Sequence, residues 1–311
     1  MDAPGALHHI MVRGINRSNI FDDDQDKVRF LEHFGQNVTD GKCFVYAWVL
    51  MSNHAHILFK SGKEGISAVM RKLLTWYAQY YNRRHNRTGH LFENRYKSIL
   101  CDEENYLMSI VRYIHLNPIR AGIIKTMGQL DRYPWSGHCA IIGKAEYPWM
   151  DTEYVLSQFG SKRRKAVAEY LRFVREGMKQ KHDTTFSGGG LVRSLGGWSQ
   201  VLAARRKGQM EDADERILGS GDFVHAVLKE AEERQLSQLK LRRSGCTIAK
   251  IIEEECTKAC INQKELRHGS RRKRKEGQVL KNKSREKSVI NGDSKHQVWS
   301  TPMTKSASRE I

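Results

Sequence analysis

Long apolar runs are missing from this sequence. The longest unbroken one, Phe44 to Met51, falls far short of the roughly 20 residues a helix needs to cross a bilayer, so no membrane partner is expected. Proline is scarce, at five in 311 residues, while 39% of the chain is hydrophobic, and most of it is therefore expected to fold. A chain of this length has room for two small domains or one large one. No charged, then apolar, then small-residue leader opens the sequence, so secretion is not expected. The six cysteines, Cys43, Cys101, Cys139, Cys246, Cys256 and Cys260, form no disulfide framework and read as reduced thiols of a cytoplasmic protein. Cys256 and Cys260 with His268 fit no strong zinc template, and helix-spaced cysteines read as core residues. Acidic charge is also short: 35 Asp and Glu face 53 Lys and Arg, a net charge of +18. That excess points to a polyanion, with nucleic acid first among candidates, and to a cytoplasmic, nucleoid-associated protein.

Strand and helix signals alternate through the first 140 residues. Leu7 to Arg13 reads as a strand closed by Gly14, and Asp22 to Asp26 supplies caps for a helix with Val28, Phe30, Leu31 and Phe34 as apolar positions. Cys43 to Met51 and His54 to Lys60 flank the turn signal Ser52-Asn53, which predicts a hairpin. A long amphipathic helix follows, with Ile66, Met70, Leu73, Tyr77 and Tyr81 on one stripe, then a short strand over Tyr96 to Leu100. Asp102 caps a further helix, expected to end near Asn117 because Pro118 restricts the residue before it. The order β-α-β-β-α-β plus a helix is the split arrangement of ferredoxin-like folds. It predicts an α+β protein whose antiparallel sheet has helices on one face and leaves the other free for a ligand.

Three regions are expected: a catalytic domain over 1–145, a helical, basic accessory region over 146–268 and a disordered basic tail over 269–311. The tail opposes twelve Lys and Arg to four Asp and Glu, almost without apolar periodicity. It reads either as a nonspecific holder of nucleic acid or as a solvated end.

The chemistry concentrates at three places. His54 and His56, at i and i+2 of a strand, point to one face and can offer two nitrogen ligands to a metal; two half-buried histidines bonded to backbone would read the same way. Tyr113 and Asn117, at i and i+4 of a helix, project from one face, where Asn117 offers a carbonyl oxygen as a third ligand; amid Ile110, Val111 and Ile114, Tyr113 also reads as a core residue. Between them, the sixteen residues from Asn82 to Lys97 carry five fixed charges, Arg83, Arg84, Arg87, Arg95 and Lys97, interleaved with His85, His90, Phe92 and Tyr96. Such a block suits phosphates and stacked bases; a solvated basic loop gains nothing from the rings.

Taken together, Asn53-His54-Ala55-His56-Ile57-Leu58, the Asn82 to Phe92 block, Arg95-Tyr96-Lys97-Ser98 and Arg112-Tyr113-Ile114-His115-Leu116-Asn117-Pro118-Ile119-Arg120-Ala121-Gly122 resemble the Y1, IS200-like transposases, and within them the REP-associated tyrosine transposases. The resemblance implies a ferredoxin-like HUH domain, action on single-stranded DNA beside hairpins, and Mg²⁺ or Mn²⁺ as cofactor. By position it implies Tyr113 as the nucleophile forming a 5′-phosphotyrosine, and His54, His56 and Asn117 as metal ligands. Arg83, Arg84, Arg87, His90, Phe92, Arg95, Lys97 and Arg120 would then contact DNA. Asp214 to Gly221 is similar to extended members of the family. Ile248 to Arg274 resembles the start of the helix-turn-helix domain that ends the replication initiator DnaA, although the expected helices do not continue after Lys275.

Two imidazoles suit Mn²⁺ better than Mg²⁺, which prefers oxygen. The rival reading is a non-catalytic DNA-binding protein, such as a repressor derived from a decayed transposase. An RNA-binding protein is a third. Monomer and homodimer remain equally open.

Overall fold

The computed structural model describes residues 4–63, 65–179, 214, 216–243, 252 and 255–257. Its chain divides into two units, 1–228 and 229–311. The first is built on strands β1 (Leu7–Arg13), β2 (Phe44–Leu50), β3 (His54–Lys60), β4 (Lys97–Cys101) and β5 (Ile217–Leu218), in the order β2-β3-β1-β4-β5. The first four pair antiparallel, as a split βαβ unit requires, and β5 joins β4 in parallel, so the sheet is mixed.

Helix α1 (Asp24–Asp40) starts where the Asp23 carboxylate accepts the Asp26 amide, an N-cap that satisfies one of the free first-turn donors. Phe30, Leu31, Phe34 and Val38 form its buried stripe, and Phe34 meets Phe59 of β3 with ring centroids 6.2 Å apart. Val28, assigned to that stripe from the sequence, is 42% exposed, because it lies two residues from Phe30 and so turns to the far side of the helix. Helix α2 (Gly65–Arg84) buries all five predicted positions, Ile66, Met70, Leu73, Tyr77 and Tyr81, and packs beside α1. These two helices cover the sheet face that carries Ala55, Ile57 and Phe59.

Helix α3 (Glu103–Arg120) differs from expectation in two ways. It packs on β2 and β3 from the opposite face, so that face is not left open. Nine of its residues from Leu107 to Pro118 are buried, and a stripe that wide needs a sheet to cover it. It also continues through Pro118 instead of stopping before it. The proline forgoes its own amide bond, but the last turn is closed by the Ala121 amide on the Asn117 carbonyl (2.8 Å) and the Ile123 amide on the Pro118 carbonyl (3.0 Å). Gly122, at φ +72°, then supplies the left-handed residue that ends the helix.

Beyond α3 lie α4 (Met127–Leu130), α5 (His138–Ile141), α6 (Thr152–Ser157) and α7 (Arg163–Met178). Helix α7 approaches α3 closely at Gly177, where a Cβ would stand 2.5 Å from the Arg112 side chain. The register of β2 slips at Tyr46, whose ring packs 4.8 Å from that of Tyr154 in α6. The segment read as similar to extended family members forms β5: Ile217 and Leu218 pair with Leu100 and Cys101, and helix α8 (Gly221–Arg243) buries Val224 beside them. A strand edge that would otherwise present open amides is thereby partly covered. Among the described residues no helix is long and apolar enough to cross a membrane. The expected tail over 269–311 lies outside them.

Candidate active site

Strand periodicity places His54 and His56 on the sheet face toward α3, and the β1–β3 register sets Arg13 opposite His54 and Met11 opposite His56. Helix periodicity places Tyr113 and Asn117 one turn apart on the side of α3 that meets this face. The four side chains line one cavity of about 470 Å³, with Arg13, Tyr96 and Lys97 in the same wall. The His56 ring stands 5.2 Å from His54 and 5.9 Å from Tyr113, edge to face in both cases. Tyr113 is 4% exposed, and the Arg120 guanidinium lies 5.2 Å from its ring centroid.

Burial, with help from Arg13, pushes His54 down to about 4. Burial first, then His9, His54 and Arg13, holds His56 well below the usual imidazole range. Both rings are therefore neutral at pH 7, the form a metal needs. The hydrogen bonds decide which nitrogen is available. Asn53 donates its Nδ2 to the Arg17 carbonyl (3.0 Å), so its Oδ1 is the atom 2.6 Å from His54 Nδ1. An amide oxygen only accepts, so His54 carries its proton on Nδ1 and keeps a lone pair on Nε2. Asn117 likewise spends its Nδ2 on the Tyr113 carbonyl (3.1 Å), which frees its Oδ1 to ligate. Imidazole nitrogens and a neutral amide oxygen, in a cavity lined also by Arg13, Lys97 and the carboxylate of Glu93, suit a divalent cation that is shared with an anionic substrate. Among the described residues, Asp22, Asp26 and His85 bring their ligand atoms within 4.8 Å of one another. Arg84 already bonds Asp26 there, and the group reads as an ion-pair network tying α2 to the start of α1.

The residues assigned to DNA divide. Lys97 lines the cavity, and Arg120 covers Tyr113. Arg83, in the last turn of α2, is exposed, as are His90 and Arg95 on the α2–β4 connection, which is tied to the end of β1 by the Ile15 amide on the Leu91 carbonyl and the Glu93 amide on the Arg13 carbonyl, both 3.0 Å. Arg84 is instead held by Asp23 and Asp26, each at 2.5 Å. Arg87 is half-buried, its guanidinium 5.6 Å from the Tyr81 ring, and Phe92 packs toward Tyr77 at 6.4 Å. The sequence reading missed Arg13 and His9. His9 is 1% exposed, with Nε2 3.0 Å from His56 Nδ1 and its ring 5.9 Å from Tyr113. Strand alternation puts His9 and Arg13 on one face, but only the β1–β3 register says that it is the face of His54.

Strand β3, second in the sheet, thus carries two neutral imidazoles facing a tyrosine of α3. Residues 4–117 match a family described as transposase, IS200-like, and over that segment the resemblance to these transposases stands. A solved structure of a REP-associated tyrosine transposase bound to a REP hairpin is similar at 18% identity, with a TM-score of 0.38, covering 48% of this chain and 86% of that one. No curated protein matches. The family match does not reach the DnaA-like segment Ile248 to Arg274, which lies largely outside the described residues.

Proposed function

We propose that this protein is a metal-dependent tyrosine transposase that cuts and rejoins single-stranded DNA beside hairpins, as REP-like elements form. The observation that carries this reading is the convergence of His54, His56, Tyr113 and Asn117 on one cavity. The Nε2 atoms of the two histidines and Oδ1 of Asn117 would hold Mg²⁺ or Mn²⁺. When bound, such a cation supplies Lewis-acid stabilisation of the charge that develops on the scissile phosphate. Arg13 and Lys97 offer two more positive charges to that phosphate, while Arg83, His90 and Arg95 offer an exposed track for the strand.

Tyr113 Oη attacks the phosphorus in line. The new O–P bond makes a 5′-phosphotyrosine, the bond to the 3′-oxygen breaks, and that oxygen leaves as a 3′-hydroxyl after taking up a proton. The proton lost by the phenol balances the one gained by the 3′-oxygen, so the step releases no net proton. A free phenol with a pKa near 10 is a poor nucleophile at neutral pH, and the guanidinium of Arg120 lies 5.2 Å from the Tyr113 ring centroid. Because the phosphotyrosine conserves the phosphodiester, attack by another 3′-hydroxyl reverses these steps and rejoins DNA without a nucleotide cofactor. Residues 1–145 carry this chemistry in our reading, with residues 146–268 as an accessory region, of which helix α7 packs on α3.

The test is a covalent protein–DNA adduct on a single-stranded hairpin oligonucleotide with Mn²⁺ or Mg²⁺. Tyr113→Phe should abolish it while oligonucleotide binding stays within about threefold. Salt-sensitive binding with no cleavage by the wild-type protein would instead establish the repressor reading.

A further inference from the structure

His9 belongs to no role described so far, yet it makes the shortest polar contact of His56. Its ring lies 5.2 Å from that of His56 at an interplanar angle of 25°, and its Nε2 stands 3.0 Å from His56 Nδ1. The two rings and Tyr113 form a closed triangle, with Tyr113 5.9 Å from each, and each of the three is at least 94% buried. Solvent therefore does not stand in for His9 as the partner of Nδ1.

A hydrogen bond between two neutral imidazoles has one donor and one acceptor, so it can run two ways. If His9 donates, the His56 proton moves to Nε2 and the nitrogen facing the cavity loses its lone pair. If His56 donates from Nδ1, its Nε2 keeps the lone pair, as His54 does through Asn53. Only the second arrangement gives two matching nitrogens. Ligating histidines generally depend on such a partner for ring orientation and proton placement. Resting on the metal-site reading above, we infer that His9 is a positioning residue: its Nε2 accepts the Nδ1 proton of His56, holding His56 in the ligating tautomer and its ring plane against Tyr113. Asn53 and His9 are thus equivalent devices for the two ligands, one on the turn before β3 and one on the neighbouring strand.

The tautomer can be read in the wild-type full-length chain without metal, by long-range ¹H–¹⁵N correlation of the histidine side chains. The expected pattern for His56 is a protonated Nδ1 and a pyridine-like Nε2; a protonated Nε2 overturns the inference. Mn²⁺ binding, followed by electron paramagnetic resonance, gives the second readout. His9→Phe keeps the ring and removes the acceptor, and it should weaken Mn²⁺ affinity at least tenfold. His9→Gln restores an acceptor and should recover affinity to within about threefold of wild type. Equal affinity for His9→Phe and wild type would remove His9 from this role while leaving the metal site intact. Failure of wild type to bind Mn²⁺ in a manner dependent on His54 would remove the metal site and this inference together. If His9→Phe does not fold, the tautomer pattern of the wild type still decides.

Discussion

Asn117 and Tyr113 are joined by a 3.1 Å hydrogen bond from the Asn117 side chain to the Tyr113 carbonyl, one helical turn back. The bond fixes the Asn117 side chain against the turn of α3 that carries Tyr113. It also orients the amide, because donating through Nδ2 leaves Oδ1 as the atom able to ligate. Asn117→Ala should weaken Mn²⁺ binding and adduct formation together, each by at least tenfold. Asn117→Asp should bind Mn²⁺ more tightly, since a carboxylate adds charge, but hold the phosphate less well, since the cation keeps less net charge for it. A Mn²⁺ titration beside an adduct assay separates the two variants. Unchanged metal affinity in Asn117→Ala would exclude it as a ligand.

Arg84 was grouped with the DNA contacts because it sits in a run of cations, yet it is the partner of Asp26, a fully buried carboxylate. Removing Arg84 leaves the buried Asp26 carboxylate with His85, 2.9 Å away, as its remaining partner. Arg84→Ala should thus measurably destabilise the fold and leave the salt dependence of DNA binding unchanged. Arg83→Ala and Arg95→Ala should leave stability within about 0.5 kcal/mol, and each should reduce the slope of log affinity against log salt by about 0.7–1. Urea unfolding and binding isotherms at several salt concentrations distinguish these patterns.

The contrast between Arg84 and Lys97 shows where sequence reasoning reaches and where it stops. Local periodicity was enough to put His54 with His56, and Tyr113 with Asn117, because each pair shares one element and its spacing alone sets the face. The hairpin, the βαββαβ order and the buried stripe of α2 were legible for the same reason. What composition could not reveal was pairing between distant elements. The face covered by α3, the register that brings His9 to His56, and the carboxylates that capture Arg84 all depend on residues tens of positions apart. The fifth strand arrives more than a hundred residues after its partner β4, and the slip at Tyr46 has no turn or glycine signal to mark it.

Acid should weaken the fold through its histidines. Burial depresses His54 to about 4, holds His56 and His115 well below the ordinary imidazole value and lowers His138. In the unfolded chain these groups titrate near 6.5. Above about pH 6.5 neither state binds the protons and this contribution to stability is complete. As pH falls from there toward 4, the unfolded state takes up protons that the folded state resists, so stability declines. The slope approaches about 1.4 kcal/mol per pH unit for each histidine. Thermal unfolding at pH 7.5, 6.0 and 5.0 should show a steadily falling midpoint, and a midpoint that rises toward pH 5 would contradict the buried neutral rings.

Tyr170 of α7 anchors that helix to α3 through a largely buried chain of hydrogen bonds. Its hydroxyl lies 2.8 Å from Nδ1 of both His115 and His138, and His138 Nε2 lies 3.0 Å from Asp131 Oδ1. The carboxylate accepts, so neutral His138 carries its proton on Nε2 and its Nδ1 must accept from Tyr170. The Tyr170 oxygen in turn accepts from His115 Nδ1, which sets the polarity of the whole chain. Tyr170→Phe keeps the ring but leaves one buried donor and one buried acceptor without partners, each costing about 1–3 kcal/mol. A loss of roughly 2–4 kcal/mol in urea unfolding is expected, with the amides of α7 exchanging faster with solvent. Tyr170 does not line the cavity that holds Tyr113. Adduct formation per folded molecule should therefore stay within about threefold of wild type. A change in stability below about 0.5 kcal/mol would mean that the hydroxyl does not couple the two histidines.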